Sequence, residues 1–242
     1  MDVLEKNDKL VDKRIIDGLA LMRMYYELDE CSIDPVLAKL CIAGKIYNSR
    51  RFDIKGVGNL LTMTCKGTKN NNLSSFVITP YLKNLPLFSS DFVYSGENRY
   101  FLLEIYDLSI AHDEMFNSGI ETFKNFESVL KEFNDMPTRS CWYDGIRPVC
   151  YSKSFWIDQD DLSIQCFLNF LEKFVDMERE TPILSGNDLI DKWKKNKDYA
   201  DGLIDKGGVS TDIFKKSLGA VNTRRFFHEI FFGADKYIPD GL

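Results

Sequence analysis

One stretch of sequence decides the predicted fold: residues 76–107, which read F-V-I-T-P-Y-L-K-N-L-P-L-F-S-S-D-F-V-Y-S-G-E-N-R-Y-F-L-L-E-I-Y-D. Within it, F-V-I-T-P at 76–80 and S-D-F-V-Y at 90–94 are rich in the β-branched and aromatic residues that favour strands. The turn-forming run S-G-E-N joins the second of these to R-Y-F-L-L-E-I-Y-D at 99–107. The stretch therefore predicts an antiparallel meander.

Upstream of the meander the sequence predicts a helix, a strand and a turn. Residues 10–28 place apolar side chains three and four positions apart, which draws one stripe along a helix. Residues 52–66 alternate like a strand, and their glycines predict a turn or bulge. N-N-N at 70–72 reads as a further turn.

Downstream of the meander the pattern becomes mainly helical. The predicted elements are a helix over 113–133, a loop over 137–150, a strand over 151–157, a helix over 161–178, a polar stretch over 185–212 and a helical pair over 211–218 and 222–232. Strands followed by helices predict an α/β fold, a three-layer α/β/α sandwich with a central antiparallel sheet flanked by helices on both faces. No repeat or linker divides the chain, so residues 1–242 are expected to form a single domain.

Composition narrows the range of function classes. Hydrophobic residues make up 44% of the 242 positions, enough for a sizeable core, yet no run approaches the length of a membrane helix. The start, M-D-V-L-E-K-N-D-K-L, lacks the apolar segment of a signal peptide. We therefore expect a protein of a soluble compartment, cytoplasmic or plastid-like, that does not associate with membranes.

Charge and cysteine usage point away from nucleic acids and metals. The net charge is −6, whereas nucleic-acid binders normally present a basic surface. The 6 cysteines form no C-x-x-C and are expected to be reduced, and the 2 histidines have no Cys or Glu at ligand spacing. We expect neither a nucleic-acid partner nor a bound metal.

Asp91 is the residue that stands out chemically. The sequence has no nucleophile elbow, phosphate-binding glycine loop or H-E-x-x-H. Alternation places Asp91 on the strand face opposite Phe92 and on the same face as Val93. In a buried pocket, desolvation would raise the pKa of this carboxyl and let it hold a proton near neutral pH, as a general acid requires. The alternative is that Asp91 begins an edge strand and hydrogen-bonds a turn.

Three blocks of sequence resemble the ferredoxin-dependent bilin reductase family. Residues 76–93, followed by E-I-Y-D-L-S at 104–109, are similar to the family pattern of strand, Pro, loop, L-P-x-F-G-x-D and a strand ending in D-L-S-P. Y-S-K-S-F-W-I at 151–157 and the closing run from Tyr199 to Gly233 resemble two later blocks. The resemblance covers roughly residues 48–233, and the shared order of the blocks is more specific than any single motif.

The resemblance implies a set of site residues. It makes Asp91 the proton donor that contacts the pyrrole nitrogens or lactam oxygens of the bilin. The second family acid aligns with Gly208, so Asp205, three residues upstream, is the candidate for that role. Ser75 stands where the phycocyanobilin-forming branch has a histidine, and Met63 stands near the position of its pocket glutamate. The residues expected to bind substrate are Met63, Ser75, Phe88 and Lys206.

A flat conjugated ligand needs an aromatic pocket. Candidates for its lining are Phe76, Phe88, Tyr94 and Phe101, and the alternative for each is an ordinary place in the core.

The resemblance also implies partners. Reduced ferredoxin or flavodoxin would supply electrons singly, without a cofactor bound to the reductase, and the substrate would be biliverdin or a related bilin. Because ferredoxins are acidic, docking would need a local basic patch. The candidates are Arg50, Arg51, Lys55, Lys66 and Lys69, with a solvated surface as the alternative.

Two other functions stay open at this point. One is an enzyme of the red chlorophyll catabolite reductase type, which shares the fold but generally lacks these acids. The other is a non-catalytic bilin-binding or carrier protein that kept the pocket and lost the second acid.

Overall fold

An antiparallel sheet forms the middle layer of the molecule. The computed structural model describes residues 2–68, 71–208 and 211–242, and within these ranges the sheet has nine strands. They are β1 Leu28–Cys31, β2 Lys39–Ile42, β3 Lys45–Ile54, β4 Gly58–Cys65, β5 Asn72–Pro80, β6 Leu87–Ser95, β7 Asn98–Tyr106, β8 Asn134–Asp135 and β9 Val149–Phe155. Their order is β1-β3-β4-β5-β6-β7-β9-β8, with β2 also paired to β3.

Helices cover both faces of this sheet, so the predicted three-layer α/β/α sandwich is confirmed. They are α1 Val3–Tyr25, α2 Pro35–Ala38, α3 Glu114–Lys124, α4 Asp160–Glu180, α5 Asn187–Lys206 and α6 Thr211–Arg225. The back face, which carries Phe76, Phe92 and Phe101, packs against α1, α3 and α4. The front face, which carries Leu61 and Val77, packs against α5, α6 and the segment Phe226–Phe231.

The back-face helices follow their apolar stripes. In α1 the side chains of Val11, Ile15, Leu19 and Met22 are buried, as the spacing of three and four predicts. The helix begins earlier than predicted and ends at Tyr25, because Tyr26 is already extended and β1 follows. In α3, within the predicted helix 113–133, Phe116, Ile120 and Phe123 are also buried, although the helix tightens to a 3₁₀ segment after residue 124.

The single strand predicted over 52–66 is two strands in the structure. The chain turns at residues 55–57 and pairs β3 with β4, as the predicted glycine turn requires. At Gly58 a Cβ atom would lie 2.3 Å from the carbonyl oxygen of Thr79, so only glycine fits this approach of two strands. Of the predicted 70–72 turn, Asn70 lies outside the described residues, while Asn72 already begins β5.

The predictions for the last third of the chain were partly wrong. The polar stretch 185–212 contains the long helix α5. The predicted pair 211–218 and 222–232 is present, with the break at Gly219, whose φ of 74° interrupts the helix. The second half of the pair winds into a π-helix at Phe226–Phe231.

Composition led to expectations about the state of the cysteines and about membrane-spanning helices. Cys31, Cys41, Cys65, Cys141, Cys150 and Cys166 are all free thiols. Within 2–68, 71–208 and 211–242, no helix combines the length and apolarity needed to cross a bilayer.

Candidate functional site

Asp91 lies on the front face of the sheet, opposite the core that its neighbour Phe92 enters. Phe92 packs against Phe101 and Phe167 on the back face, as the predicted alternation requires. Antiparallel pairing extends the position of Asp91 into a row across the front face: Ser49, Met63, Ser75, Asp91, Leu102 and Ser152. The side chains of this row share one face because neighbours in register point the same way.

The front face is covered unevenly. On one side of the Asp91 row, Val77, Ser89 and Glu104 are buried where α5 and the π-helix pack. On the other side lies a half-buried area that we call the open floor, formed by Leu73, Val93, Tyr100, Leu102, Ser152 and Ser154. It extends over β5, β6, β7 and β9, or about 14 Å at the usual spacing of strands. Asp91, itself half-buried, stands at the boundary between the covered and open parts.

The environment of Asp91 favours its protonated form. Burial raises the pKa of the Asp91 carboxyl above its usual value, while the hydrogen bond from Ser75 and the positive charge of Arg14 oppose this shift. The Ser75 hydroxyl donates to Oδ1 of Asp91. A carboxyl that keeps its proton beside an apolar surface can deliver that proton to a ligand on the surface.

Glu104 is a second front-face carboxyl, and the sequence analysis assigned it no role. It is opposite Ser89 on β6, two positions from Asp91, so the two carboxyls are diagonal neighbours across the strands. Burial is the main cause that raises the pKa of Glu104, and the charge of Asp91 adds to it, while Arg147 opposes both. Oε1 of Glu104 accepts a hydrogen bond of 2.7 Å from Nη1 of Arg147.

The signal that would have found Glu104 is the alternation along β7. Leu102, Glu104 and Tyr106 share a face, and the hairpin through S-G-E-N brings that face beside Asp91. An acid in the middle of an apolar strand, diagonal to another such acid on the next strand, is a pattern that the sequence displays. Arg147 was not predictable in this way, because it follows a loop.

Aromatic side chains line the covered end of this face. The ring of Tyr106 lies 5.3 Å from that of Tyr199 on α5 and 5.8 Å from that of Tyr143. The indole of Trp142 packs where Gly202 leaves room on α5, and its Nε1 donates to the carbonyl oxygen of Gly207 at 2.7 Å. This cluster fixes the last turns of α5 against the loop before β9.

The structure brings together some of the predicted site residues and separates others. Ser75 and Met63 lie in the same row as Asp91, so they are placed to line a common site. Phe88 does not lie there: it is fully buried on the back face, where its ring packs against Phe170 and Phe174. The same holds for the other predicted pocket aromatics, Phe76, Tyr94 and Phe101, which alternation turns into the back-face core.

Asp205 and Lys206 lie at the exposed end of α5. The carboxylate of Asp205 faces solvent and accepts a hydrogen bond of 3.1 Å from Nη2 of Arg224. The ammonium group of Lys206 lies 4.8 Å from the centre of the Trp142 ring. Asp205 therefore has a surface ion pair, which differs from the half-buried setting of Asp91.

The basic patch expected for docking is largely neutralised by ion pairs. Arg50 binds Glu30 through two hydrogen bonds of 2.8 and 2.7 Å. Lys55 pairs with Glu27 at 2.8 Å, and Lys66 pairs with Asp12 at 2.7 Å. Arg51 is buried and donates to Asn59 and to the carbonyl oxygen of Glu229, while Lys69 lies outside the described residues. Of the five predicted residues, the four that the structure describes do not form a patch of free positive charge.

The raised pKa of Asp91 predicts a dependence of stability on pH. Below the usual pKa of 3.8 the carboxyl is protonated in the folded and unfolded states alike. As pH rises through the higher folded value, the buried carboxylate loses its proton and lowers the free energy of unfolding. We expect Asp91→Asn, which cannot ionise, to become progressively more stable than the unsubstituted protein over this range.

Urea unfolding of both proteins from pH 4 to pH 8 measures this difference. Asp198→Asn, which removes a carboxylate from the exposed side of α5, controls for the change in net charge. A stability difference between Asp91→Asn and the unsubstituted protein that stays constant across the range would contradict a raised pKa.

Comparison with known proteins shows a likeness to solved structures. No protein-family model and no curated protein matches the sequence. Among solved structures, the crystal structure of phytochromobilin synthase from tomato in complex with biliverdin superposes with a TM-score of 0.75. The alignment covers 95% of this chain and 85% of that one, at 11% sequence identity.

The two chains share a fold. A match over nearly the whole chain supports the arrangement of sheet and helices described above, and at this identity it carries that information alone.

Proposed function

We propose that this chain reduces an open-chain tetrapyrrole, biliverdin or a related bilin, and that Asp91 supplies a proton to it. The observation that carries this proposal is the position of Asp91: a carboxyl with a raised pKa at the edge of the open floor. The fold shared with a synthase that binds biliverdin supports the choice of ligand. The chain would then be an oxidoreductase.

The open floor suits a flat, conjugated ligand. Leu73, Val93 and Leu102 offer apolar surface, and Tyr100 adds a half-buried ring. A bilin lying on these side chains would bring its pyrrole nitrogens and lactam oxygens to the row of Asp91 and Ser75. Ser75 would orient the Asp91 carboxyl through its hydroxyl, and Met63 would extend the apolar lining beyond it.

Reduction of a bilin consumes one proton for each electron that it receives. Each electron delivered to the bilin by a donor such as reduced ferredoxin or flavodoxin makes the ligand more basic, and a proton from Asp91 then neutralises it. A two-electron reduction consumes two protons, so Asp91 must be reprotonated or a second acid must act. We propose Glu104 for that second proton in preference to Asp205, because Glu104 is buried beside Asp91 while Asp205 pairs with Arg224 at the surface.

Mixing and reduction under anaerobic conditions test the proposal. Addition of biliverdin to the purified protein is expected to shift the bilin absorbance, and reduced ferredoxin is then expected to produce new bands. Binding without turnover would favour the carrier function, and the absence of any shift would contradict a bilin ligand.

A steric variant localises the binding. Val93→Trp places a large side chain on the open floor and is expected to weaken bilin binding, because its indole would occupy the surface on which the ligand lies. Val36→Trp is the matched control, since Val36 is 67% exposed on α2, which packs mainly against β2 and β3 and not against the strands of the open floor. Equal bilin affinity for both variants would exclude the open floor as the site.

A further inference from the structure

Arg14 is a cation buried in the core behind Asp91. It comes from the middle of α1 and is fully enclosed, with 0% of its surface exposed. Its guanidinium lies between two aromatic rings, 4.2 Å from the centre of Phe92 and 4.3 Å from that of Phe167. These distances are typical of cation–π contacts.

The hydrogen bonds of Arg14 are directed at the two strands that carry the candidate site. Nη1 donates to the carbonyl oxygen and the hydroxyl of Ser74, at 2.5 and 2.7 Å. Nη2 donates to the carbonyl oxygen and the hydroxyl of Ser90, at 2.8 and 2.5 Å. Ser74 and Ser90 directly precede Ser75 and Asp91. The guanidinium therefore binds, from the back face, the backbone that carries the Ser75–Asp91 pair on the front face.

Burial of a guanidinium in the core lowers the free energy of unfolding. Among residues 2–68, 71–208 and 211–242, Arg14 forms no ion pair with a carboxylate, and its Nε has no hydrogen-bond partner. A cation in the core with no carboxylate partner lowers stability even when its N–H groups are hydrogen-bonded, whereas an apolar side chain would fill the space between Phe92 and Phe167 without that cost. Packing of α1 therefore does not account for this arginine.

The groups that act electrostatically on the Ser75–Asp91 pair come from both sides of the sheet. Arg14 faces it from α1, Glu104 lies diagonal to it on β7, and Tyr94 on β6 interacts with Arg14. Burial lowers the pKa of Arg14 to about 10, so the guanidinium stays charged at neutral pH. Arg14 is the positive charge that opposes the effect of burial on the pKa of Asp91.

We propose that Arg14 is a positioning residue for Asp91: from the back face it fixes the two strands of the Ser75–Asp91 pair, and its charge acts on the carboxyl through the sheet. The function of this coupling rests on the proposed role of Asp91 as proton donor. Burial alone would leave the carboxyl holding its proton too tightly, and Arg14 keeps it able to release the proton to a ligand.

The titration of Asp91 in the bilin-free protein tests this coupling. The carboxyl carbon of Asp91, followed by NMR, is expected to titrate at higher pH in Arg14→Gln than in the unsubstituted protein, because a positive charge that lowers the pKa of Asp91 is lost. Arg14→Lys keeps the charge, and its titration is expected to stay near that of the unsubstituted protein. Where bilin reduction is observed, its pH–rate profile is expected to move in the same direction.

Two further variants make the result decisive. Arg14→Met offers an apolar replacement of similar length for the space between the rings, in case the glutamine variant does not fold. Arg99→Gln removes another fully buried guanidinium, one that is paired with Asp160, and is expected to leave the titration of Asp91 in place. If Asp91 titrates as in the unsubstituted protein in a folded Arg14→Gln or Arg14→Met variant, the proposal is overturned. A shift of the Asp91 titration in Arg99→Gln as large as that in Arg14→Gln would overturn it as well.

The failure of this proposal can be told apart from that of the proposed function. The NMR titration needs no bilin, so it decides the coupling of Arg14 to Asp91 even in a protein that neither binds nor reduces the ligand. Conversely, a protein that reduces bilin with an unchanged Asp91 titration in Arg14→Gln would retain the function and lose the role of Arg14.

Discussion

Asp91→Asn is expected to bind bilin as the unsubstituted protein does but to form product more slowly, by a factor of about 100 or more, the effect typical of removing a general acid. The asparagine amide keeps the size of the carboxyl and can still accept from the Ser75 hydroxyl, so the strands and the open floor should be undisturbed. What it lacks is a transferable proton. Absorbance titration with biliverdin measures binding, and anaerobic reduction with ferredoxin measures turnover.

The control for this substitution is Asp198→Asn, which changes the net charge equally on the exposed side of α5. It should bind and turn over bilin normally. Product formation by Asp91→Asn at the unsubstituted rate would remove Asp91 from the mechanism, whatever the binding result.

Glu104→Gln is expected to have the next largest effect, slowing turnover by about tenfold or more while leaving bilin affinity unchanged. The reason is that a second proton must follow the first, and a glutamine cannot supply it. Arg147 keeps a charged partner in this variant, because its Nη2 also donates to Asp144 at 2.6 Å. The fold around the substitution should therefore hold. Single-turnover kinetics should show the first reduction step intact and the second step delayed.

Asp144→Asn separates this role from a structural one. It removes the other partner of Arg147, so a loss of activity caused by a loosened arginine would appear in this variant as well. Normal turnover in Asp144→Asn combined with slow turnover in Glu104→Gln is the expected pattern. Equal losses in the two variants would assign the effect to Arg147.

The elements that the sequence predicts best are those whose burial follows a simple period. The meander over 76–107 alternates, so its strands, its turn and the side on which Asp91 lies were predictable. α1 and α4 likewise carry apolar stripes that pack on the back face. In each case apolar residues make up most of the buried face, and the pattern is visible without tertiary information.

The full extent of α5 was not predicted, because part of its buried face is polar. Lys192 and Asn196 lie on that face, and both are fully buried. The ammonium of Lys192 donates to the carbonyl oxygens of Leu85 and Leu108, and the amide of Asn196 donates to that of Pro80. These bonds satisfy loop carbonyls at the ends of the strands. A helix that gives part of its inner face to such hydrogen bonds, and only the rest to the core, has no continuous apolar stripe to detect.

The candidate site was predictable in part for the same reason. Asp91 stands out within its own strand, but the uneven cover of the front face depends on where α5 and α6 end, which no local pattern encodes. Arg14 reads as one more charge on an amphipathic helix until the structure shows it bound to Ser74 and Ser90. Phe88 and its aromatic neighbours were expected at the ligand, but alternation turns them toward the back-face helices.

The most direct test of the account is a crystal structure of the protein with biliverdin bound. We predict that the bilin lies on the open floor, with pyrrole nitrogens or lactam oxygens within hydrogen-bond distance of the Asp91 carboxyl. Bilin bound elsewhere, for instance in the cavity of about 460 Å³ beside Lys124 and Lys153 at the edge of the sheet, with Asp91 out of its reach, would contradict it.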